Sequence, residues 1–341
     1  MNTSFLDACN MKRPEHTPIW FMRQAGRYLP SYRAVKGNRP VMEIARDPEL
    51  SSQVVVDAVE ALGVDAGIIF ADIMLPLEGI GVDFRIEENV GPVVTNPVRS
   101  LADVESLRPL EPDVDVGYVF DGIDSTLQKL DDSVPLIGFS GAPFTLAGYM
   151  IEGRPSRDLE LTKQMMYREP ETWHRLMKAL TKMVVSYLDR QVSHGVHAVQ
   201  LFDSWVGCLS PSDYRTYVFR YTEEIFRSLQ NRVPTIHFCA NSSSLLSQFI
   251  EAGPDAVSID WRIGISEAWE VSKRRVGIQG NLDPIVALAG GRAMDRHVAS
   301  ILEGSKGRRG HIFSLGHGVM KDTPPKNLQE IVKTVHKKTR G

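Results

Sequence analysis

Two arginines four residues apart, Arg23 and Arg27, follow a short apolar run, Pro18-Ile19-Trp20-Phe21-Met22. With Gln24, Ala25 and Gly26 between them, they are closed off by Tyr28-Leu29-Pro30. A guanidinium keeps its charge at any working pH and presents a rigid fork of donors suited to carboxylate or phosphate. Lys12, Arg13, Arg33, Lys36 and Arg39 lie nearby, against the single acid Glu15 between residues 12 and 39. A solvated basic loop has the same composition. The placement at the end of an apolar strand favours an anion-binding site instead. Asp72 ends a second apolar run, Ile68-Ile69-Phe70-Ala71-Asp72. A carboxylate there either pairs with an arginine to hold the site together, or accepts hydrogen bonds from a ligand and stabilises positive charge developing on it.

His317 stands between Gly316 and Gly318 after a third apolar run. Glycine permits close backbone approach to a ligand, and histidine titrates nearest neutrality. Tyr149 and Ser204 are neutral donors near other strand ends; alone, such hydroxyls more often satisfy local backbone. His237-x-Cys239 has a spacing that can open a zinc site, but a catalytic zinc needs a third protein ligand. No cysteine lies downstream of Cys239, which leaves His317 as the candidate third ligand. A strand end with a buried thiol is the plainer reading. The chain has no Gly-x-Ser-x-Gly, no phosphate-binding P-loop and no Cys-x-x-Cys.

Positioning these residues falls to a repeated strand-then-helix rhythm. Apolar runs predict strands at 17–22, 66–70, 135–140, 197–202, 234–238, 255–259, 275–279 and 311–315. Amphipathic stretches between them predict helices at 48–62, 114–131, 170–194, 211–231, 242–252, 265–273, 292–304 and 324–338. Asp47-Pro48, Ser210-Pro211 and Thr323-Pro324-Pro325 supply caps or first-turn prolines. Strands apolar on both faces and alternating with helices imply a parallel sheet covered by helices. Eight of them, with polar residues gathered at their C-terminal ends, predict one (β/α)8 barrel spanning residues 1–341. A doubly wound open sheet would leave those ends apart and would carry a G-x-G-x-x-G fingerprint, which is not found. Residues 82–98 interrupt the rhythm: alternation over 82–86, a turn at 87–89 and Val93-Val94 predict a β-hairpin after the second strand, rimming the cleft.

Composition is that of an ordinary globular chain: 341 residues, 43% hydrophobic and 24% charged, with a formal net charge of −3. That charge argues against a general nucleic-acid or membrane-surface binder, so any polyanion site must be a local basic pocket. Three widely spaced cysteines suggest thiols in a reducing compartment. The N-terminus lacks a signal-peptide pattern and no run approaches a membrane span, so a cytoplasmic location is expected.

In their order along the chain these motifs resemble the uroporphyrinogen decarboxylase family. The resemblance rests on Phe21-Met22-Arg23-Gln24-Ala25-Gly26-Arg27-Tyr28-Leu29-Pro30, Ile69-Phe70-Ala71-Asp72-Ile73, Gly138 to Leu146, Tyr149 to Gly153, Gln200 to Ser204, Asp260-Trp261, Gln279 to Pro284 and Leu315-Gly316-His317-Gly318. The first and last are highly specific. The resemblance implies a cofactor-free, metal-free, homodimeric (β/α)8 enzyme of haem biosynthesis, which removes four acetate carboxyls of uroporphyrinogen III as CO2 to give coproporphyrinogen III. It implies that Asp72 meets the four pyrrole N–H groups of the reduced macrocycle, that Arg23 and Arg27 bind substrate carboxylates, and that Arg23 is a candidate proton donor. The last role sits uneasily with so weak an acid. The segment 23–27, with Tyr149, Ser204 and His317, is the implied substrate-contacting set. Two departures are Lys36, where some relatives place an arginine, and a looser tail over 318–322; altered affinity is the most either implies. Zinc-dependent thiol methyltransferases of the same superfamily share a His-x-Cys but place a further cysteine where His317 stands. A non-catalytic tetrapyrrole-binding protein would keep the arginines without needing Asp72.

Overall fold

The computed structural model describes residues 3–87, 90–241 and 243–340. Seven strands form one parallel sheet: β1 (Gly67–Ile68), β4 (Leu136–Gly141), β5 (Ala198–Phe202), β6 (Thr235–Phe238), β7 (Ala256–Ser258), β8 (Gly277–Leu282) and β9 (His311–Leu315), neighbours in that order. Each runs inside its predicted span or extends past its C-terminal end by one to three residues. The run at 17–22 is not a full strand. It makes a single parallel bridge, Ile19 to Phe313. Around it, Phe313 N–H donates to the Pro18 carbonyl at 2.8 Å and Trp20 N–H to the Phe313 carbonyl at 3.3 Å. On the other side Asp65 N–H donates to the Ile19 carbonyl at 2.8 Å. The segment therefore occupies the eighth place, between β9 and the approach to β1, and the sheet curls into a barrel. Its ladder is short because Pro18 has no N–H to give and the chain turns at Arg23, whose φ is 63°.

Inside the barrel a buried polar layer links four strand positions. Trp20 Nε1–H donates to Gln279 Oε1 at 2.9 Å, and Gln279 Nε2 donates to Gln200 Oε1 at 2.9 Å and Ser258 Oγ at 3.0 Å. Each bond relieves the cost of burying an amide or indole donor, and together they fix the register of facing strands.

Outside, Asp47 and Ser210 cap their helices as the sequence predicts, while the helix Pro325–Thr339 starts on its first-turn proline with no side-chain cap. Asp47 Oδ1 accepts the N–H groups of Glu49 and Leu50 at 2.9 and 3.0 Å, starting the helix Pro48–Leu62. Ser210 Oγ accepts Asp213 N–H at 3.1 Å. The predicted helix 211–231 is two, Pro211–Tyr217 and Phe219–Leu229, because Val218 (φ −126°, ψ −46°) leaves the helical basin. The bend lets Tyr214 and Phe219 pack edge-on at 6.3 Å, with Phe249 5.2 Å from Tyr214. The predicted helix 242–252 is a 3-10 turn, Ser243–Leu245, running into Leu246–Glu251.

Helices that escape sequence reading include Pro30–Lys36, Glu160–Arg168 and, most relevant to the site, Pro143–Glu152. In the last, all residues but Tyr149 and Glu152 are buried, so no polar stripe exists to reveal the helical period. The hairpin is present as β2 (Phe84–Glu87) and β3 (Gly91–Val94), antiparallel with Phe84 opposite Val94. Val94 N–H donates to the Gly153 carbonyl at 2.8 Å, tying it to the end of that helix. Of its predicted turn, Glu88 and Asn89 lie outside the described residues.

One core residue makes stability depend on pH. His311, at the start of β9, is buried; Nε2 lies 3.3 Å from the Gly280 carbonyl and Nδ1 has no hydrogen-bond partner. Burial pushes its pKa down from 6.5 to about 4. A pKa depressed in the folded state means that the unfolded chain binds the proton better. This stability is present in full above about 6.5 and is lost as pH falls towards about 4. The loss is on the order of 3 kcal/mol. In urea unfolding at stepped pH, His311→Gln is expected to flatten that decline relative to the parent chain.

Candidate active site

The C-terminal ends of the strands open into a cavity of about 830 Å³. Arg23, Gln24, Ala25, Asp72, Tyr149, Ser204 and His317 all border it. Gly26 and Arg27 do not. Arg27 is exposed, its carbonyl accepts Arg33 Nη1 at 2.9 Å, and its charge acts on Tyr32. Lys36, in the last turn of Pro30–Lys36, is also off the cavity wall.

The reason lies in the turn. The Gln24 side chain is buried and folds back: Oε1 accepts Phe21 N–H at 3.1 Å and Nε2 donates to the Ala66 carbonyl at 3.0 Å. Tyr28 O–H donates to the Gln24 carbonyl at 2.6 Å. Gln24 thus rivets the first strand to the second, and only its outer face meets the cavity. A Cβ at Gly26 would come within 3.1 Å of the Arg23 carbonyl oxygen, so a small residue is needed to close the turn. The left-handed conformation at Arg23, uncommon outside glycine, throws its side chain over the cavity.

Asp72 is half-buried. Its Oδ1 accepts Met74 N–H at 2.9 Å, an Asx-type turn that fixes the carboxylate at the start of the loop. Burial raises its pKa above the ordinary 3.8, while the Met74 bond and the charge of Arg23 pull the other way. Arg23 acts on Asp72 through its field, without a hydrogen bond to it. Tyr149 stands edge-on to Trp205 at 6.0 Å and senses both Asp72 and Arg23. Its phenol is pushed up, chiefly by burial, and stays a neutral donor. The Ser204 loop is held by fully buried Asp203, whose Oδ1 accepts Thr145 O–H at 2.8 Å; Thr145 Oγ1 in turn accepts Trp205 N–H at 3.2 Å.

His317 is expected from its residue type to titrate near neutrality. It does not. Its pKa is pushed down to about 4, first by burial and then by the charges of Arg23 and Arg262, against Asp260. At neutral pH it is a neutral imidazole, able to donate or accept but not to act as a cationic anchor.

Gly318 explains the second glycine of the motif. A Cβ there would fall 2.5 Å from Arg23 Cδ and 3.0 Å from Cγ. The obstacle is a flexible side chain, so Gly318→Ala is expected to fold while displacing the Arg23 guanidinium. A misplacement of that kind typically costs roughly 10- to 100-fold in kcat/KM, measurable with little change in melting temperature.

Further cavity residues escaped the sequence reading: Arg157, Asp158, Trp205, Asn241, Trp261 and Arg262. Arg262 Nη1 pairs with buried Asp260 Oδ2 at 2.9 Å, and its guanidinium lies 4.3 Å from the Trp261 ring centre. Asp260 Oδ2 also accepts Asn241 N–H at 2.7 Å. The signal for Arg262 was present, since an arginine just after a strand end is the same pattern as Arg23. Arg157 and Asp158 lie between two helices, Pro143–Glu152 and Glu160–Arg168, and no strand end marks them.

The zinc arrangement weighed for His237, Cys239 and His317 does not converge. β6 alternation sends Phe238 towards His317, with ring centres 6.0 Å apart, and sends His237 into the helical layer against Phe249 at 4.6 Å and Phe226 at 5.3 Å. Neither His237 nor Cys239 borders the cavity that His317 lines.

A family model described as "Uroporphyrinogen decarboxylase (URO-D)" matches residues 1–338. A protein named uroporphyrinogen decarboxylase from Carboxydothermus hydrogenoformans is 45% identical over 337 residues, 98% of this chain and 96% of that one. One of the same name from Nocardia farcinica is 46% identical over 342 residues, 97% of this chain and 95% of that one. Among solved structures, a methyltransferase from Methanosarcina mazei superposes with a TM-score of 0.81 at 18% identity, covering 98% of this chain and 99% of that one. At that identity the likeness concerns the fold alone.

Proposed function

Because the chain belongs to the uroporphyrinogen decarboxylase family, we infer that it converts uroporphyrinogen III to coproporphyrinogen III in haem biosynthesis, releasing the four acetate carboxyls as CO2. The observation that carries this is the full-length family match, joined to a cavity lined by the three arginines Arg23, Arg157 and Arg262 and the two carboxylates Asp72 and Asp158, of which Asp72 stands at a strand end. The substrate has the complementary pattern, carboxylates outside and pyrrole N–H groups inside. An overall acidic chain would otherwise have no reason to line a pocket with guanidinium groups.

The chemistry needs an electron sink. Protonation of a pyrrole ring carbon makes the ring cationic. The bond from the acetate methylene to its carboxyl then breaks, its electron pair neutralises the ring, and CO2 leaves. A proton taken up at the exocyclic carbon and one lost from the ring restore the pyrrole with a methyl group in place of the acetate. The substrate supplies the sink, so the reading requires no cofactor and no metal. We assign Asp72 to the macrocycle centre, where it accepts the pyrrole N–H groups and stabilises the cationic ring. Its raised pKa reflects a carboxylate poorly solvated before substrate arrives, and N–H donors replace the missing water. Arg23 holds a substrate carboxylate and is the candidate proton donor, more readily as a relay from solvent than as the acid itself. Arg27, outside the cavity wall, reaches substrate only at the rim. Gln24, Ala25 and Gly26 shape the turn that presents Arg23, while Tyr149, Ser204 and neutral His317 supply hydrogen bonds to the macrocycle and its side chains.

No helix among the described residues is long and apolar enough to cross a membrane. A cytoplasmic homodimer built from one catalytic domain per chain is part of the same inference, and sedimentation equilibrium checks its stoichiometry. The competing zinc-dependent thiol methyltransferase is separated from it by one experiment. Chelator-treated protein is expected to release CO2 from uroporphyrinogen III at an undiminished rate and to methylate no thiol. Activity that vanishes on chelation and returns with zinc would overturn the reading.

A further inference from the structure

At the end of the barrel away from the cavity, three residues far apart in sequence meet. Asp65 lies two residues ahead of β1, His16 lies just before the closing segment, and His336 lies in the helix Pro325–Thr339. His16 Nε2 is 2.8 Å from Asp65 Oδ1, and His336 Nε2 is 2.8 Å from Asp65 Oδ2. The two imidazoles stand edge to face, 4.4 Å between centres at 69°. All three potential ligand atoms lie within 4.8 Å of one another. Among the described residues, no other group of three His, Cys, Asp or Glu side chains is so placed.

We propose that His16, Asp65 and His336 form a binding site for a divalent transition-metal ion, with zinc the best chemical match. Two imidazole nitrogens and one carboxylate oxygen suit zinc far better than calcium or magnesium, which prefer oxygen ligands. The site also has the backing that holds such ligands in orientation. Asp65 Oδ2 accepts Ile19 N–H at 2.7 Å, and His16 Nδ1 lies 3.5 Å from Ser4 Oγ. Side-chain exposures of 12%, 17% and 21% leave a path for an ion and for water as the fourth ligand. Ligand bonds of about 2.0–2.2 Å in a tetrahedron put ligand atoms roughly 3.3 Å apart; the histidine–carboxylate contacts of 2.8 Å open by about half an ångström, and the ligand atoms that lie farther apart, all within 4.8 Å, close towards that spacing. The ion replaces the two N–H···O bonds, with each ring keeping a proton on Nδ1 at most. A metal here ties the barrel's first strand, the lead into its second and the C-terminal helix, and so acts on stability and not on turnover.

The test titrates the full chain, freed of metal by chelator and dialysis, with zinc sulfate by calorimetry. Cobalt(II) serves as the spectroscopic probe. The expected result is one equivalent bound at micromolar concentration or tighter, and a rise in melting temperature with metal. The double variant His16→Gln, His336→Gln is expected to weaken binding at least about 100-fold while keeping its far-UV dichroism and its rate of CO2 release. Should that variant not fold, the cobalt spectrum of the parent chain still decides: nitrogen–oxygen coordination supports the site. Thiolate charge-transfer bands, binding unchanged in the variant, or no binding at all would overturn it and leave the triad a hydrogen-bonded clasp.

Discussion

Asp72→Asn is expected to lower kcat by roughly 100- to 1,000-fold while KM moves by no more than about threefold, the size of effect seen when one preorganised electrostatic group is removed. The substitution keeps the shape of the side chain, and Asn Oδ1 still accepts Met74 N–H, the side-chain bond that fixes Asp72 in the turn. What it removes, in the proposed mechanism, is the negative charge facing the ring as that ring becomes cationic. In that proposed mechanism substrate binds through its peripheral carboxylates, so affinity is largely spared and the loss falls on the chemical step. Stability should move the opposite way. The folded-state pKa of Asp72 lies above its ordinary value because of burial. A raised pKa means the charged form is disfavoured on folding, so stability is lost as pH rises through that value and stays lost at neutrality. Asp72→Asn is therefore expected to be much slower yet more resistant to denaturant at neutral pH than the parent chain, and equal to it in strong acid. Steady-state kinetics and urea unfolding on the same preparation check both halves. A variant that was merely misfolded would lose both together.

Arg23→Gln is the second large effect. The guanidinium lies over the cavity from a left-handed backbone position, close enough for its charge to be felt at Asp72, Tyr149 and His317. Removing a charged partner of a substrate carboxylate typically costs about 1.5–3 kcal/mol, or roughly 10- to 150-fold in kcat/KM. With its charge gone, one of the influences holding down the His317 pKa disappears, so His317 should titrate higher. NMR titration of that imidazole in the variant checks the electrostatic link independently of turnover. Arg23→Lys is expected to recover the His317 shift but not the full kcat/KM, since an ammonium keeps charge and loses the bidentate fork. Arg27→Gln should cost much less, because Arg27 sits outside the cavity wall.

Much of this was readable from residue order because the barrel puts chemistry at strand ends. Arg23, Asp72, Ser204 and His317 each follow an apolar run, and four separate strand-end positions return to one cavity in the structure. What could not be read depends on contacts between distant segments. The helix carrying Tyr149 is apolar nearly all round, so its period is silent. The Gln24 rivet needs the Ala66 carbonyl, which only the paired strands bring near. Arg27 looked equivalent to Arg23 in the sequence; the turn at Gly26 decides that they face different ways. The His237-x-Cys239 spacing was compatible with a metal, and strand alternation turned it towards the helices. The neutral state of His317 follows from burial between two guanidinium groups, a property no local pattern carries.

The most direct measurement is anaerobic incubation of the purified protein with uroporphyrinogen III, followed by oxidation and separation of products by carboxylate number. The decarboxylase account predicts a ladder from eight carboxyls to four, with the four-carboxylate product accumulating. Recovery of the octacarboxylate untouched by active, folded protein would contradict it.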